Sequence, residues 1–472
     1  MDTSVFGVDL SRRRVLESSV AVVGYDAIPI SDPAIVDNSE QDWPTSLRDT
    51  RNSGFTDVSV DIQESTIGKR DVATFDAEVV TGPVLVDDTY YVCAYDTERY
   101  SIYEIDTEKS LVATSEYEND NRHPSYGNAT TPTVASGVVY VTTAYGISAF
   151  DIGTGERIWF TPIAEIHSPP TVLDGRVYLA IPTHSFGGGF VSLDAENGDI
   201  EWESDTGAPS QINNDFPVAV TENTAILSDN DGNITSVTAS TGEEGWNFTY
   251  EVDSDGSASP GIPTVRDDIA YCNIAGRMVA LDLHSGDRRW ELSYDARHSM
   301  GAPIVVDDVV LGFDEVGKVY AVSRSDGSLV WSTGALGGGP KRLLATPKTS
   351  FLHRHESITA IDIESGSELY SIESTDEYII QSTGPITSDG ITAITIQPDA
   401  LALSIFGRRP AEDNSERSER ESESSERGGT ETESTDRTDT LRLLIALAGG
   451  VGLGALYGGY KKFGPSDDDE TT

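Results

Sequence analysis

The stretch AFDIGTGERIW, residues 149–159, decides the fold because its pattern recurs along the chain at a regular spacing. Two further clear copies are SLDAENGDIEW at residues 192–202 and ALDLHSGDRRW at residues 280–290. In each copy a small residue, an apolar residue and an Asp lead into a turn with Gly four residues after the Asp and Trp eight residues after it. Such a repeat has to be interpreted before any single motif, because its period points to the architecture.

Aligning the copies gives eight positions along the chain. The Asp position is occupied by Asp106, Asp151, Asp194, Thr238, Asp282, Ser323, Asp362 and Ser404, at intervals of 45, 43, 44, 44, 41, 39 and 42 residues. The turn glycines are Gly155, Gly198, Gly242, Gly286, Gly327 and Gly366. The aromatic position holds Trp159, Trp202, Trp246, Trp290, Trp331 and, by replacement, Tyr370, whereas the first copy has Thr114. Five of the six Trp residues therefore occupy one repeat position.

Each copy follows a Pro-led pair of β-rich runs such as PTVASGVVYVTT, residues 132–143, so that a repeat supplies four short strands. A period near 43 residues with four strands is the size of a propeller blade. The sequence therefore predicts an all-β fold, an eight-bladed β-propeller of four-stranded blades. The last copy, residues 385–406, holds about three strands, so we expect an N-terminal strand, placed at residues 57–62, to complete it and remove the free sheet edges.

The turn residues have a physical role in this prediction. The Asp side chain accepts backbone N–H groups as an Asx-type turn, and Gly supplies a positive φ. The Trp has a large apolar surface and one N–H donor, so we expect it to pack against the neighbouring blade. The predicted blade-docking residues are the aromatics and glycines above together with Asp106, Asp151, Asp194, Asp282 and Asp362.

The pattern A-x-D-x-x-[ST]-G-x-x-x-W resembles the tryptophan-docking motif of PQQ-repeat β-propellers, and the resemblance covers roughly residues 43–406. That family includes quinoprotein dehydrogenases and the propeller lipoprotein of the bacterial outer-membrane assembly machinery, which are eight-bladed. The segment DWPTSLRDTRNSGFTD around Trp43 is similar to the one that precedes many propellers of this family, so we place the domain at residues 43–409.

For a quinoprotein dehydrogenase the resemblance implies an axial quinone pocket, a Ca²⁺ site, an Asp base and an adjacent Cys pair. The chain has only Cys93 and Cys272, about four blades apart, and it lacks the long insertions that build a lid in such enzymes. Both Cys residues lie in strand-like runs and are predicted to be buried free thiols. The sequence thus favours a non-enzyme without a cofactor, and PQQ-dependent dehydrogenation is kept as the alternative.

Other sequence features do not form a catalytic or metal-binding set. His353 and His355 would lie on one face of a strand, but no third metal ligand is indicated. The acidic run at residues 229–235 has Gly at its fourth position, where an EF-hand loop has it at the sixth, so it is interpreted as a hairpin turn. Three sequons, at Asn128, Asn233 and Asn247, would be glycosylation sites if the domain is exported.

The charge is extreme, with 79 Asp and Glu against 32 Lys and Arg and a formal net charge of −47. In molar salt the Debye length falls to roughly 3 Å, so this acidity is typical of a halophile's hydrated surface. A patch that steers cations or basic partners is the alternative. Nucleic acid is not a predicted partner, because phosphate binding needs basic stripes.

The two ends of the chain suggest export and membrane anchoring. Residues 1–42 form an N-terminal segment in which SRRRVL, residues 11–16, resembles a degenerate twin-arginine signal, with an ordinary basic segment as the alternative. Residues 410–440 are rich in Ser, Glu, Thr and Arg and are predicted to be a disordered linker. A transmembrane helix is predicted at residues 441–460, of which residues 443–460 are uncharged, followed by a short tail at residues 461–472.

Lys461 and Lys462 favour a cytoplasmic C-terminus and an extracellular propeller. Gly450, Gly454 and Gly458 have the four-residue spacing that permits weak self-association of helices in lipid. The sequence therefore predicts a membrane-anchored, cell-surface, non-catalytic propeller that binds or scaffolds an unidentified protein partner in a halophile's envelope. The alternatives are the dehydrogenase and a tail-anchored scaffold that faces the cytoplasm.

Overall fold

The computed structural model describes residues 42–408, apart from residues 59, 61–66, 96–98, 107–110, 119–128, 144, 164–165, 167, 182–188, 205, 207–216, 229–231, 251–260, 295–298 and 338. All regular structure in the described residues is β, with strands numbered β1 to β33 in chain order. The predicted N-terminal signal, the linker at residues 410–440, the helix at residues 441–460 and the tail lie outside the described residues.

The strands follow one another blade by blade along the chain. The first strand, β1, is Ile67–Phe75. Blade 1 comprises β2 Val79–Val80, β3 Val84–Val86, β4 Thr89–Tyr95, β5 Arg99–Asp106 and β6 Leu111–Glu118. Blade 2 comprises β7 Thr133–Ala135, β8 Val138–Thr143, β9 Gly146–Asp151 and β10 Arg157–Pro162. Blade 3 comprises β11 Thr171–Leu173, β12 Arg176–Ile181, β13 Gly189–Asp194 and β14 Ile200–Ser204. Blade 4 comprises β15 Ala219–Val220, β16 Thr224–Ser228, β17 Asn233–Thr238 and β18 Glu244–Thr249.

The second half continues the pattern. Blade 5 comprises β19 Thr264–Arg266, β20 Ile269–Ile274, β21 Arg277–Asp282 and β22 Arg288–Ser293. Blade 6 comprises β23 Ser299–Val306, β24 Val309–Asp314, β25 Val319–Ser323 and β26 Leu329–Ser332. Blade 7 comprises β27 Arg342–Ala345, β28 Thr349–Arg354, β29 Ser357–Asp362 and β30 Glu368–Glu373. Blade 8 takes β31 Ile379–Thr387, β32 Gly390–Ile396 and β33 Leu401–Arg408.

Every blade is built of antiparallel strands. In blade 1 the short strands β2 and β3 pair with the same edge of β4 and together form its innermost strand. The eighth blade is completed from the other end of the chain. Its strand order is β1-β33-β32-β31, with Ile67 opposite Arg408 and Phe75 opposite Leu401. Inner strands of neighbouring blades contact one another, including β31 of blade 8 and β3 of blade 1, which closes the ring. The predicted eight-bladed, four-stranded propeller is thereby confirmed.

The predicted position of the closing strand was wrong. The strand is Ile67–Phe75 and not residues 57–62. Thr56 is hydrogen-bonded to the inner strand of blade 7, whereas β1 forms the outermost strand of blade 8. Three strand spacings of about 4.8 Å separate the innermost from the outermost strand of a blade, so the chain needs the intervening residues to reach that edge.

The hydrophobic core lies between the blades. Inner and middle strands are buried on both faces, as in Arg176–Ile181, of which only the first residue is not fully buried. Outer strands such as Ile200–Ser204 are largely exposed. Successive blades therefore pack face to face, and specific contacts between neighbouring blades are needed to fix the angle between them.

The two-residue turns between the first two strands of a blade explain why its hairpins are tight. Asp87 and Asp88 have φ of 49° and 60°, and Ser136 and Gly137 have φ of 50° and 76°. Two successive residues with positive φ are typical of the type I′ turn, whose twist matches that of the paired strands.

Candidate functional site

The Asp of the repeat builds the turn between the third and fourth strands of its blade. Asp194 Oδ1 accepts the backbone N–H groups of Glu196 at 2.9 Å and Asn197 at 3.0 Å. The turn is closed by a bond from the Gly198 N–H to the Asp194 carbonyl at 2.9 Å. Asp151, Asp282 and Asp362 accept from their own turns in the same way. The turn thus presents its Gly and the carbonyl that follows the Asp to the preceding blade.

Each Trp reaches that surface of the next blade and donates its indole N–H to the carbonyl just after the Asp position. The bonds run from Trp159 to Ala195 at 3.0 Å, Trp202 to Ala239 at 3.2 Å, Trp246 to Leu283 at 2.8 Å, Trp290 to Arg324 at 2.9 Å and Trp331 to Ile363 at 2.7 Å. Five identical contacts therefore join blades 2 to 7 in series.

The turn glycines form the other half of the dock. A Cβ added at Gly286 would lie 2.7 Å from the Trp246 ring, and one at Gly366 would lie 2.6 Å from the Trp331 ring. Gly198, Gly242 and Gly327 have the same relation to Trp159, Trp202 and Trp290. The indole lies flat against a backbone that has no side chain, which explains why Gly and Trp occur together in the repeat.

A β-bulge before the aromatic residue directs the ring toward the next blade. The register between the third and fourth strands shifts between Arg157 and Trp159, and an equivalent shift occurs beside the aromatic of each of blades 3 to 7. Bulges turn a strand and re-aim its side chains. The pairing of β5 with β6 in blade 1, which has Thr114 at this position, shows no shift.

The predicted docking residues at the two ends of the series differ from the rest. Tyr370 is buried and belongs to the core shared by blades 7, 8 and 1, and burial raises the pKa of its hydroxyl. Asp106 ends β5, and the turn that follows it lies outside the described residues. Gly155 closes its own turn through the Asp151 carbonyl at 2.7 Å. The five-Trp series thus begins at blade 2 and ends at blade 7.

Residues 42–58, which we call the axial segment, occupy the centre of the ring. The backbone N–H of Trp43 donates to the carbonyl of Leu85 in blade 1 at 2.6 Å. The carbonyls of Pro44, Thr50, Arg51 and Gly54 accept the backbone N–H groups of Val134, Val220, Val265 and Ala345, in blades 2, 4, 5 and 7, at 2.6 to 3.0 Å. These five blade residues are equivalent, each standing two residues before the first turn of its blade. One short segment can reach five blades only by crossing the axis.

Side chains anchor the axial segment more deeply. The Asn52 amide donates to the carbonyls of Pro217 at 3.2 Å and Pro263 at 3.1 Å, and so connects blades 4 and 5. Leu47 is buried against Ile262 and Ala302 of blades 5 and 6. The sequence indicated this segment only as the start of the domain. The segment contains Trp, Pro, Asn and Gly at positions that do not follow the repeat, and this was the sequence feature that could have indicated a separate structural role.

The remaining candidate residues do not assemble into a catalytic centre. Cys93 and Cys272 are fully buried free thiols, and burial raises the pKa of Cys93 to about 12. His353 is buried, whereas His355 is exposed beyond the end of β28. Among the described residues no group of three or more His, Cys, Asp or Glu side chains is arranged to hold a metal ion.

Two of the three sequons lie side by side in blade 4. Asn233 and Asn247 are on neighbouring strands, where both accept from the Thr249 hydroxyl, at 2.8 and 3.2 Å. Asn128 lies outside the described residues.

Within the described part of the chain no helix is long and apolar enough to cross a membrane.

Comparison with known proteins places this architecture in a family. The model of the family described as outer membrane protein assembly factor BamB matches residues 113–185, 147–311 and 295–446. Outer membrane protein assembly factor BamB of Shewanella oneidensis is 26% identical over 212 residues, which cover 42% of this chain and 51% of that protein. The serine/threonine-protein kinase AfsK of Streptomyces coelicolor is 29% identical over 175 residues, which cover 37% of this chain and 20% of the kinase. The matches therefore span between a fifth and about half of the length of these relatives.

A solved structure of a quinohemoprotein alcohol dehydrogenase from Pseudomonas putida has the same fold. It superposes with a TM-score of 0.57 at 13% identity, and covers 86% of each chain. At that identity the likeness concerns the fold alone. Because the family model covers most of the chain and the described blades join through the PQQ-repeat dock, the protein belongs to the family of outer membrane protein assembly factor BamB.

Proposed function

We propose that this chain is a non-catalytic scaffold that binds a protein partner and is anchored at a membrane. The observation that carries the proposal is the use of the repeat residues. The five Trp residues and the glycines they touch are engaged in joining one blade to the next. The axial segment adds bonds to five blades. These contacts make a stiff ring, which is what a platform for assembly needs.

Family membership supports the same function. The relative in Shewanella oneidensis is named outer membrane protein assembly factor BamB. The finer elements of the proposal come from the sequence: an export signal, a linker, and a helix at residues 441–460 that would hold the propeller at the outer surface. The net charge of −47 suits an envelope bathed in concentrated salt.

Protease treatment of intact cells in isotonic brine tests the orientation. We expect the propeller to be released from tagged full-length protein while a cytoplasmic marker protein remains intact. Survival of the propeller on intact cells, with digestion only after lysis, would instead support a scaffold that faces the cytoplasm.

Site-specific photo-cross-linking in native membranes tests the scaffold function. A photoreactive residue is placed in turn at exposed positions on the two turn faces and on the outer strands, for example at Ile158, Ile200 and Leu369. A scaffold gives one discrete adduct at positions that cluster on the ring. Adducts that are absent, or that scatter over all positions and all masses, contradict the proposal.

The alternative of a PQQ-dependent dehydrogenase draws on the fold shared with the quinohemoprotein enzyme. Addition of PQQ and Ca²⁺ to the purified protein, followed by dye reduction with an alcohol panel, tests it. Dye reduction that disappears on chelation would replace the scaffold proposal with the enzyme.

A further inference from the structure

A cluster of polar side chains lies where blades 7 and 8 meet the axial segment. It comprises Ser46, Lys341, Arg342, His353 and residues 381–383, and we call it the seam cluster. It lies outside the series of Trp docks, and the proposed scaffold function assigns it no role. Its three parts are the inner strands of blade 7, the inner strand of blade 8 and the axial segment.

The blade 7 part carries the positive charge. Arg342 and His353 are direct partners across β27 and β28, so their side chains point to the same face of the blade. Arg342 Nη1 donates to the Thr383 carbonyl at 3.0 Å and to the Ser46 carbonyl at 3.1 Å. Lys341 Nζ donates to the Gln381 carbonyl at 3.0 Å. These bonds bring the three parts of the cluster together at one place.

The blade 8 part is irregular at this place. The pairing of β31 with β32 shifts between Ile380 and Ser382 and again between Thr383 and Ile386. The first bulge leaves Gln381 without a ladder partner and the second lies directly after Thr383, whereas Ser382 and Thr383 pair with Ile394 and Ala393. Bulges re-aim nearby side chains and are enriched beside active sites. The irregularity therefore coincides with the residues that receive the bonds from Lys341 and Arg342.

The side chains in this region include several buried polar atoms without a hydrogen-bond partner among the described residues. They are Ser46 Oγ, His353 Nε2, Gln381 Oε1, Ser382 Oγ and Thr383 Oγ1. Ser46, His353 and Thr383 are each only 2% exposed. Buried polar atoms are nearly always paired in folded proteins. Their concentration at one seam is therefore a specific feature of this chain.

The chemistry of the cluster selects the ligand. The hydroxyls of Ser46, Ser382 and Thr383 can donate hydrogen bonds, and Lys341 and Arg342 add positive charge. Burial lowers the pKa of His353 well below its usual value, and Lys341, Arg342 and His355 lower it further, against a backbone hydrogen bond at Ile380 that raises it, so the ring is neutral at physiological pH. Lys341 is exposed, so the Lys341 side of the seam cluster faces solvent.

We propose that the seam cluster is a binding site for an oxyanion, a carboxylate or phosphate group that enters beside Lys341 and is held by Ser46 and Thr383. The positive charge and the hydroxyl donors are complementary to such a group, which would accept hydrogen bonds from the buried hydroxyls. The chain has a net charge of −47, so a positively charged cluster differs from the acidic sequence around it.

Isothermal titration of the full chain with inorganic phosphate and, separately, with acetate tests the site, at constant ionic strength set with sodium chloride. We expect saturable binding of at least one of the two anions. Ser46→Ala and Thr383→Val each remove one unpartnered hydroxyl and should weaken the binding about tenfold or more, since a hydrogen bond to a charged group is lost. Phosphate alone or acetate alone as the ligand supports the site and identifies the group.

Ser192→Ala is the matched control. The Ser192 hydroxyl is also fully buried without a partner among the described residues, but it lies in blade 3. This variant should bind as the wild type does. Thermal unfolding shows whether each variant is folded, and the substitutions should leave the midpoint nearly unchanged because the lost hydroxyls have no partner. Absence of saturable binding in the wild type, or equal binding by all four proteins, would overturn the proposal.

Discussion

The Trp–Gly contact is the smallest unit that explains the ring. The indole of Trp246 donates to Leu283 and covers Gly286, and the same three-part contact recurs in four other places. Both partners are needed, because a side chain at the Gly would displace the ring and a smaller ring would leave the carbonyl unpaired. The energy of one contact is modest, and its repetition makes the ring stiff.

Gly286→Ala should lower the free energy of unfolding by at least about 2 kcal/mol, because the left-handed backbone and the overpacking each contribute. The backbone φ at Gly286 is +73°, and the new Cβ would lie 2.7 Å from the Trp246 ring. Guanidinium titration measures the change. Gly153→Ala is the control, since its Cβ would meet only Asp151 Oδ1 at 3.5 Å, and it should be nearly neutral. Equal effects of the two variants would contradict this account.

Asp282 gives the dock a defined response to acid. The Arg289 side chain, at 2.5 Å, and the Ser285 backbone N–H hold the pKa of Asp282 down at about 2, below the value near 3.9 of an unfolded chain. A lowered folded-state pKa means that the carboxylate stabilises the fold above pH 3.9 and that this stabilisation is lost as the pH falls toward 2. Wild type should therefore exceed Asp282→Asn in stability at pH 6, and the difference should fade between pH 4 and pH 2 in unfolding titrations. A difference that stays constant over that range would rule out the charge as its cause.

At the scale of elements, β1 is the piece that makes eight blades out of one open chain. It pairs with β33 along nearly its whole length, with a shift between Asp71 and Ala73. Its inward residues Ala73 and Phe75 are buried, and the intervening Thr74 is exposed. Phe75 lies edge-on against Tyr103 of blade 1, with ring centroids 5.0 Å apart. The strand thus holds blades 8 and 1 together by packing as well as by hydrogen bonds.

Phe75→Ala should lower the free energy of unfolding by about 3–5 kcal/mol, the usual range for a buried Phe. Denaturant unfolding followed by tryptophan fluorescence measures it. Thr74→Ala in the same strand is the matched control and should change stability by less than about 0.5 kcal/mol. A small effect of Phe75→Ala would mean that the ring does not depend on its closing strand.

For the whole molecule, the axial segment links blades that are distant in sequence. The Trp docks join only neighbours, whereas residues 42–58 contact blades 1, 2, 4, 5 and 7 at equivalent backbone positions. A ring held by neighbour contacts alone can flatten or open, and a central segment opposes both movements. The propeller is therefore stabilised around its rim by the repeat and across its centre by a segment without repeats.

A chain that begins at residue 59 should be less stable than one that begins at residue 42 by roughly 6 kcal/mol at most, from the burial of Trp43, Leu47 and Phe55 at about 2 kcal/mol each. Both forms keep β1 and all eight blades. Guanidinium midpoints of the two forms provide the measurement. Equal midpoints would show that the Trp docks and β1 suffice for the ring.

The amino-acid sequence alone was enough to derive the features of this protein that depend on neighbouring residues. The Asp-Gly-Trp spacing depends on residues within one turn and one strand, so the period, the eight blades and the four strands of each could be derived from the repeat alone. The roles of Trp159 and Gly198 also follow from the chemistry of the two residues. The β-bulge that directs the Trp159 ring was not predicted from the sequence.

Features that depend on contacts between distant segments became visible only in the folded protein. The closing strand proved to be Ile67–Phe75 because the axial segment first carries the chain to the centre, and no local pattern records that route. Residues 42–58 cross the axis and place Ser46 beside Arg342, which is 296 residues away in the chain. Arg342 in turn contacts Thr383 of blade 8. Such contacts arise only when the ring closes, because closure fixes the place of both ends at once.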